Sequence, residues 1–347
     1  MRMRLLLAVL AAIVAAPRAA GAQVYPERLN VKMKHVAVAY QRRDRDDREE
    51  QSERVTKTLR LGSNGELSLG NVAGDITVTR GGGSDATIEI LKVARARSAD
   101  EARELLALVT VEVSERGGRA EVKTRYPSGD EYRREHRRNV NVTVTYNVTA
   151  PSGTRLDVNS VSGNIKVSDI KGEISAGTVS GNVSVTSAGT IASAKSVSGN
   201  VEITNAHGDE SLEASSVSGD VTLNRVGVRR IEAGSVSGNV HLDEVQCDRA
   251  EAHSTSGNIR FSGPLARRGR YELKSFSGEV QLTLSGSTGF EVDATTFSGD
   301  VRSDLPITMR GNLPSKGRRR SLSGTYGDGS AILELSTFSG SIVIAKK

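Results

Sequence analysis

The groups best able to do chemistry in this 347-residue chain are five histidines, one cysteine and 41 carboxylates. His35, His136, His207, His241 and His253 stand at no metal-ligand spacing from one another, from a cysteine or from a carboxylate. His241 follows a recurring phrase at a place where neighbouring copies carry Glu202 and Thr222, so it reads as solvent-facing. Serine beside glycine is frequent, but no G-x-S-x-G nucleophile elbow occurs, and Ser-Gly here is turn chemistry. Cys247, close to Val245, reads as buried packing rather than as a nucleophile. Calcium-binding β-rolls need tandem G-G-x-G-x-D nonapeptides, and the double glycine is missing. Asp220, Asp243 and Glu244 are the carboxylates that could lie together on one side, as a polysaccharide-cleaving enzyme would require. No tight cluster emerges from their spacing, so the expectation is a protein without cofactor, metal or catalytic residues.

What must position any surface is a repeat. The phrase Val-Ser-Gly-Asn/Asp-Val recurs with its glycine at Gly163, Gly181, Gly199, Gly219, Gly238, Gly257, Gly278, Gly299 and Gly340, and an outlying copy at 71–78 has its glycine at Gly74. Successive intervals from Gly163 to Gly299 are 18 to 21 residues, and the last, 41, reads as two periods. A period of about 20 residues predicts an all-β fold, a parallel β-solenoid (β-helix) whose structural corner is the glycine. Weaker half-repeats at 171–174, 208–212 and 289–292 predict at least two strands per coil.

Alternation places Val197, Val201 and Ile203 inward with Gly199 on the same parity, where a side chain would crowd the bend or where positive φ is needed. Stacked coils would align Asn164, Asn182, Asn200, Asp220, Asn239, Asn258, Glu279 and Asp300 in one column. Because the column turns acidic, an amide ladder is expected only in its first part. Two residues before each glycine, Val gives way to Thr255 and then to Phe276, Phe297 and Phe338. The longer coils carry Phe, which predicts a bore that widens and is filled by these rings.

The N-terminus speaks to location. Arg2 and Arg4, the apolar run 5–16 and Ala20-Gly21-Ala22 make residues 1–22 a signal peptide, with Gln23 the first mature residue. The run is shorter than the roughly 20 residues a spanning helix needs, and no later stretch is apolar enough to cross a bilayer. No cysteine follows the run to carry a lipid, and a single cysteine forms no internal disulfide. Losing Arg2, Arg4 and Arg18 with no acid lowers the formal charge from +6 to +3. That modest charge, with aromatics at 3 %, excludes nucleic acid as a partner.

Four segments follow: the signal peptide 1–22; a charged segment 23–54; residues 55–150, a first coil plus a helix-and-strand insertion capping the solenoid; and the repeats of 151–347. Ser98-Ala-Asp-Glu101 is a capping box ahead of Ala102, Leu105, Leu106 and Val109 at helical spacing, with alternating strands at 109–113, 120–123 and 140–148. The charge runs 41–54 and 130–138 read as solvated, flexible stretches. Lys316, Arg318, Arg319 and Arg320 form a basic loop in the long interval, a candidate anchor for acidic polysaccharide or anionic lipid headgroups.

The stretches YNVTAPSGTRLDVNSVSGNIKV (146–167) and GTYGDGSAILELSTFSGSIVI (324–344), with the serial SGN/SGD corners, resemble the bacterial putative-adhesin family of exported β-strand-repeat proteins, a domain of unknown function. The resemblance runs from about Val55 to Lys347. It implies an envelope-associated β-solenoid and brings no catalytic residues. The expected function is therefore a non-enzymatic exported protein of the periplasm, cell envelope or surface, an adhesin or scaffold. Envelope polysaccharide, an anionic surface or another envelope protein would be its partner. The alternatives are a polysaccharide-active β-helix enzyme and an envelope sensing or regulatory protein.

Overall fold

A computed structural model describes residues 48–127, 141–309 and 320–347. Residues 1–22, expected to be a signal peptide, residues 23–47 of the charged segment, the run 130–138 and the loop residues Lys316, Arg318 and Arg319 lie outside the described residues. The chain divides into Met1–Val36 and Ala37–Lys347, and every described residue belongs to the second unit.

Among the described residues that unit is all-β apart from one helix, with two large sheets of 13 and 14 strands that mix parallel and antiparallel pairs. Each phrase glycine separates two strands. Ile191–Ser198, before Gly199, lies in the larger sheet, and Val201–Thr204, after it, lies in the other. Neighbouring copies pair in parallel and in register, so that Val183, Val201, Val221, Val240 and Ile259 align in one sheet. Ala176, Ala194, Ala214, Ala233 and Ala252 align in the other. Within the short strands the alternation is as expected: Val201 and Ile203 are fully buried and Glu202 is exposed. Each such aliphatic contributes roughly 1.5–3 kcal/mol on burial.

The alternation does not run through the corner. Val197 is only half-buried, and the inward residue ahead of the bend is Ser196, 4 % exposed. Gly199, with φ 154°, turns the chain between the sheets, so parity restarts at Val201. This corrects the widening bore: Phe276, Phe297 and Phe338 occupy the outward position before the corner and are 57, 62 and 46 % exposed. The additional residues of the longer repeats go into longer strands after the glycine, Ile259–Pro264 and Val280–Ser285, in place of four-residue strands such as Val201–Thr204. Where the larger sheet narrows to Ala250 and Ala252, the interior is filled by Phe261 and Tyr271, edge to face with centroids 5.4 Å apart.

The 41-residue interval is not two periods in space. Ala331–Ser339 lies between Arg270–Ser277 and Phe290–Ser298, and Ile342–Lys346 lies between Val280–Ser285 and Val301–Ser303. The last repeat in sequence is thus inserted between two earlier ones. The intervening chain forms Ser321–Tyr326, antiparallel to residues 290–295.

Towards the other end, Glu49–Leu59 pairs antiparallel with Ala86–Ala96 along its whole length, so residues 49–54 of the charge run are strand and not a loose segment. Alternation explains it: alternate residues from Gln51 onward are only partly exposed. The helix Ala99–Leu108 has Ser98 as N-cap, its hydroxyl accepting from the Glu101 N–H at 3.3 Å. Ala102, Leu105 and Leu106 are its buried residues. No basic residue lies in its last turn. The cation favoured at a helix C-terminus comes instead from Lys92, whose buried ammonium donates to the carbonyls of Leu106 and Val109 at 3.4 and 3.2 Å and pairs with Glu53 at 2.7 Å. Among the described residues no helix is long and apolar enough to cross a membrane.

Candidate functional site

The repeated corner is the most specific constellation in the molecule. A Cβ built on Gly163, Gly181, Gly199, Gly219, Gly238, Gly257, Gly278, Gly340 or Gly299 would lie 2.0–2.2 Å from the carbonyl oxygen of the preceding glycine in that spatial order. On Gly74 it would meet the Val144 oxygen at 2.3 Å. Close approach is what demands glycine throughout. Positive φ adds to it at Gly74, Gly163, Gly181, Gly199, Gly299 and Gly340.

Two ladders flank this column. Thr178, Ser196, Ser216, Ser235, Ser254, Ser275, Thr337 and Thr296 each donate their hydroxyl to the glycine carbonyl of the adjacent repeat at 2.8–3.1 Å. At the start of the column the Asn71 amide donates to Gly74 O, and the aligned hydroxyl of buried Ser160 has no protein partner. On the solvent side, the side-chain oxygen of one repeat accepts from the backbone N–H of the next. The series runs from Asp75 through Asn164, Asn182, Asn200, Asp220, Asn239 and Asn258 to the N–H of Glu279, at 2.7–3.0 Å. This ladder outlasts its expected length because only an acceptor is needed, and the carboxylate of Asp220 serves as well as an amide oxygen.

Outside both ladders run Val72, Val161, Val179, Val197, Val217, Val236, Thr255, Phe276, Phe338 and Phe297 in register, with the three rings stacked at 5.0 and 4.7 Å and nearly parallel. Sequence reasoning found the positions of these residues but put them on the wrong side of the wall.

It missed a second corner. Asp169, Ser187, Asn205, Arg225 and Glu244 all have φ of 52–60°, and each precedes a buried residue: Ile170, Ala188, Ala206, Val226 and Val245. Their spacing matches that of the glycines, which was the available signal. The left-handed conformation disfavours Ser, Arg and Glu, so residue type hid it. In the next repeat the strand runs straight on, and Gly263 crosses Val245 O where a Cβ would lie 2.3 Å away. A groove of about 480 Å³ opens at this step, lined by Arg225, Glu244, Gln246, Pro264 and Lys347 among others.

The remaining candidates stay apart. Asp220 precedes Val221–Asn224 and Asp243 ends Val240–Asp243 opposite Asn224, so they sit at opposite ends of adjacent strands, about 13 Å apart along the strand direction at the rise of an extended chain. Glu244 meets Lys347 at 3.5 Å. His241 stands between Thr222 and Arg260, and among the described residues no three His, Cys, Asp or Glu side chains group to hold a metal ion. Cys247 is buried, and burial, helped by the charge of Asp248, pushes its thiol up to about 12, which makes it inert near neutral pH. Of the basic loop, Arg320 is described: it is exposed, and its carbonyl accepts from Thr296 N–H at 2.8 Å.

Residues 67–345 match the model of the Toastrack DUF4097 family. The chain belongs to that family. Solved structures similar to this toastrack chain include a putative lipid binding protein from Parabacteroides distasonis, 13 % identical over 83 % of this chain and 96 % of the other, with a TM-score of 0.43. A putative adhesin from Bacteroides fragilis is 13 % identical over 85 and 97 % of the two chains, TM-score 0.40. A putative cell adhesion protein from Clostridium sporogenes is 12 % identical over 86 and 100 %, TM-score 0.24. No curated protein matches the toastrack chain.

Proposed function

We propose that this toastrack chain is a non-enzymatic, exported β-solenoid that acts at the cell envelope or surface as an adhesive or structural scaffold. The observation that carries the reading is where the repeated polar groups go. The serine and threonine hydroxyls and the Asn/Asp oxygens that recur once per repeat are engaged between repeats, so the recurrence serves stacking and not a reaction. Residues 1–22 direct export, and envelope polysaccharide, an anionic surface or another envelope protein is the partner. Lys316, Arg318, Arg319 and Arg320 supply the positive charge for an anionic one.

Cell fractionation with N-terminal sequencing and protease treatment of intact cells tests the location. The expected result is a chain beginning at Gln23 in the envelope or medium; an uncleaved chain in the cytosol overturns the proposal. Replacing the three loop arginines should weaken retention on an anionic envelope fraction and flatten its salt dependence. Incubation with anionic glycans should release no product; release that is lost on changing Asp243 or Glu244 would establish an enzyme instead.

A further inference from the structure

The repeat formed by residues 331–347 fills a slot that its own chain makes only by skipping. Residues 270–285 and 290–303 are consecutive in sequence, yet they are held apart by strands that come later. Slot and insert match in the glycine column and in the hydroxyl ladder. Gly340 packs on Gly278 O, and Gly299 packs on Gly340 O, with Cβ distances of 2.1 and 2.0 Å. Thr337 donates to Gly278 O at 2.9 Å and Thr296 to Gly340 O at 2.8 Å.

The aromatic stack is confined to the same place. Of the ten outward corner positions, Phe occupies the insert and its two neighbours, with Phe338 between Phe276 and Phe297. Stacked aromatic pairs attract one another beyond their burial, and here they fix the register of strands that arrive out of order. The insert is reached through the turn at 327–330, in which Gly327 and Gly329 have φ of 61° and 65°. Glycine takes up other backbone conformations readily, so the turn can open at the cost of the bonds from Ala331 N–H to Gly289 O and from Arg268 N–H to Ser330 O.

We infer that residues 331–347 are an exchangeable insert and that the slot between the Gly278 and Gly299 repeats binds the same segment of a second copy of this chain. The contacts are identical whether the insert comes from the same chain or another, so concentration and the state of the 327–330 turn decide between closure and exchange. Two copies that exchange reciprocally leave no slot empty, which gives a closed dimer.

The experiment uses full-length chains carrying Cys247→Ala, one with Phe276→Cys and one with Phe338→Cys. Neighbouring parallel strands are about 4.8 Å apart, within the Cα separations that a disulfide spans. The two chains are refolded together at increasing concentration and oxidised. Exchange yields a covalent heterodimer whose fraction rises with concentration, because the thiol introduced at position 276 of one copy then has the thiol introduced at position 338 of the other beside it. Surface association leaves each introduced thiol beside a phenylalanine of its own chain and yields none. Monomers alone in the mixture, while a chain carrying both substitutions closes its internal disulfide, overturn the inference. Should circular dichroism show that the single variants fail to fold, the unsubstituted chain is refolded over the same range and its mass measured by light scattering. A doubled mass that persists on dilution supports exchange, and monomer at every concentration overturns it.

Discussion

A methyl group on Gly199 would sit 2.0 Å from Gly181 O, an atom held by its own repeat and by the Ser196 hydroxyl. Neither backbone can yield without breaking the ladder, so Gly199→Ala should lower the urea-unfolding free energy by about 4 kcal/mol or more. Gly82→Ala, where nothing lies within 4 Å, should change it by less than about 0.5 kcal/mol. The glycine period was legible because close approach admits one residue type. The serine three residues before it was not: alternation read straight through the bend assigned Val197 to the interior, whereas Ser196 is the buried residue there and Val197 is half-buried. Hydrophobicity misled in the same way at Phe276, Phe297 and Phe338, whose stacking on one another replaces burial in a core.

At the scale of elements, the helix Ala99–Leu108 was readable from local signals, namely a cap, acids in the first turn and apolar spacing. What holds it was not, since Lys92 lies on a strand and reaches carbonyls 14 and 17 residues away. Removing that ammonium leaves Glu53 partly buried without its cation and the helix end without its donor. Lys92→Met should therefore cost about 3–5 kcal/mol. Hydrogen exchange is the measurement: protection should fall in the helix and in Glu49–Leu59, and stay unchanged in the repeats around Gly199. The insertion of the last repeat was equally invisible in the sequence. Spacing reports how many residues separate two corners, and a 41-residue interval is the same number whether the second corner stacks after the first or before it.

For the whole molecule, the buried acids of high pKa set an alkaline limit. Burial pushes Tyr126, Tyr146 and Cys247 each up to about 12, and raises Tyr271 well above the tyrosine range. Unfolded, these groups ionise near about 8.5 for Cys and about 10 for Tyr, so above those values the unfolded chain binds fewer protons than the folded one. Stability is then fully present below about pH 8.5 and falls as pH rises towards about 12. Urea midpoints should drop over that window; midpoints that hold steady from about pH 8.5 to about pH 12 would contradict this. The Asn/Asp ladder bears on how the protein ages. At Asn182, Asn200 and Asn258 the rung is made by the side-chain oxygen, and hydrolysis of the amide to a carboxylate keeps that oxygen. At Asn164 and Asn239 the nitrogen also donates, to Asp75 and Asp220, and the same reaction would set two carboxylates against each other. Long-stored protein should thus carry deamidation silently at Asn182, whose neighbours in the column are Asn164 and Asn200, with an unshifted urea midpoint, and lose stability once Asn164 or Asn239 has reacted.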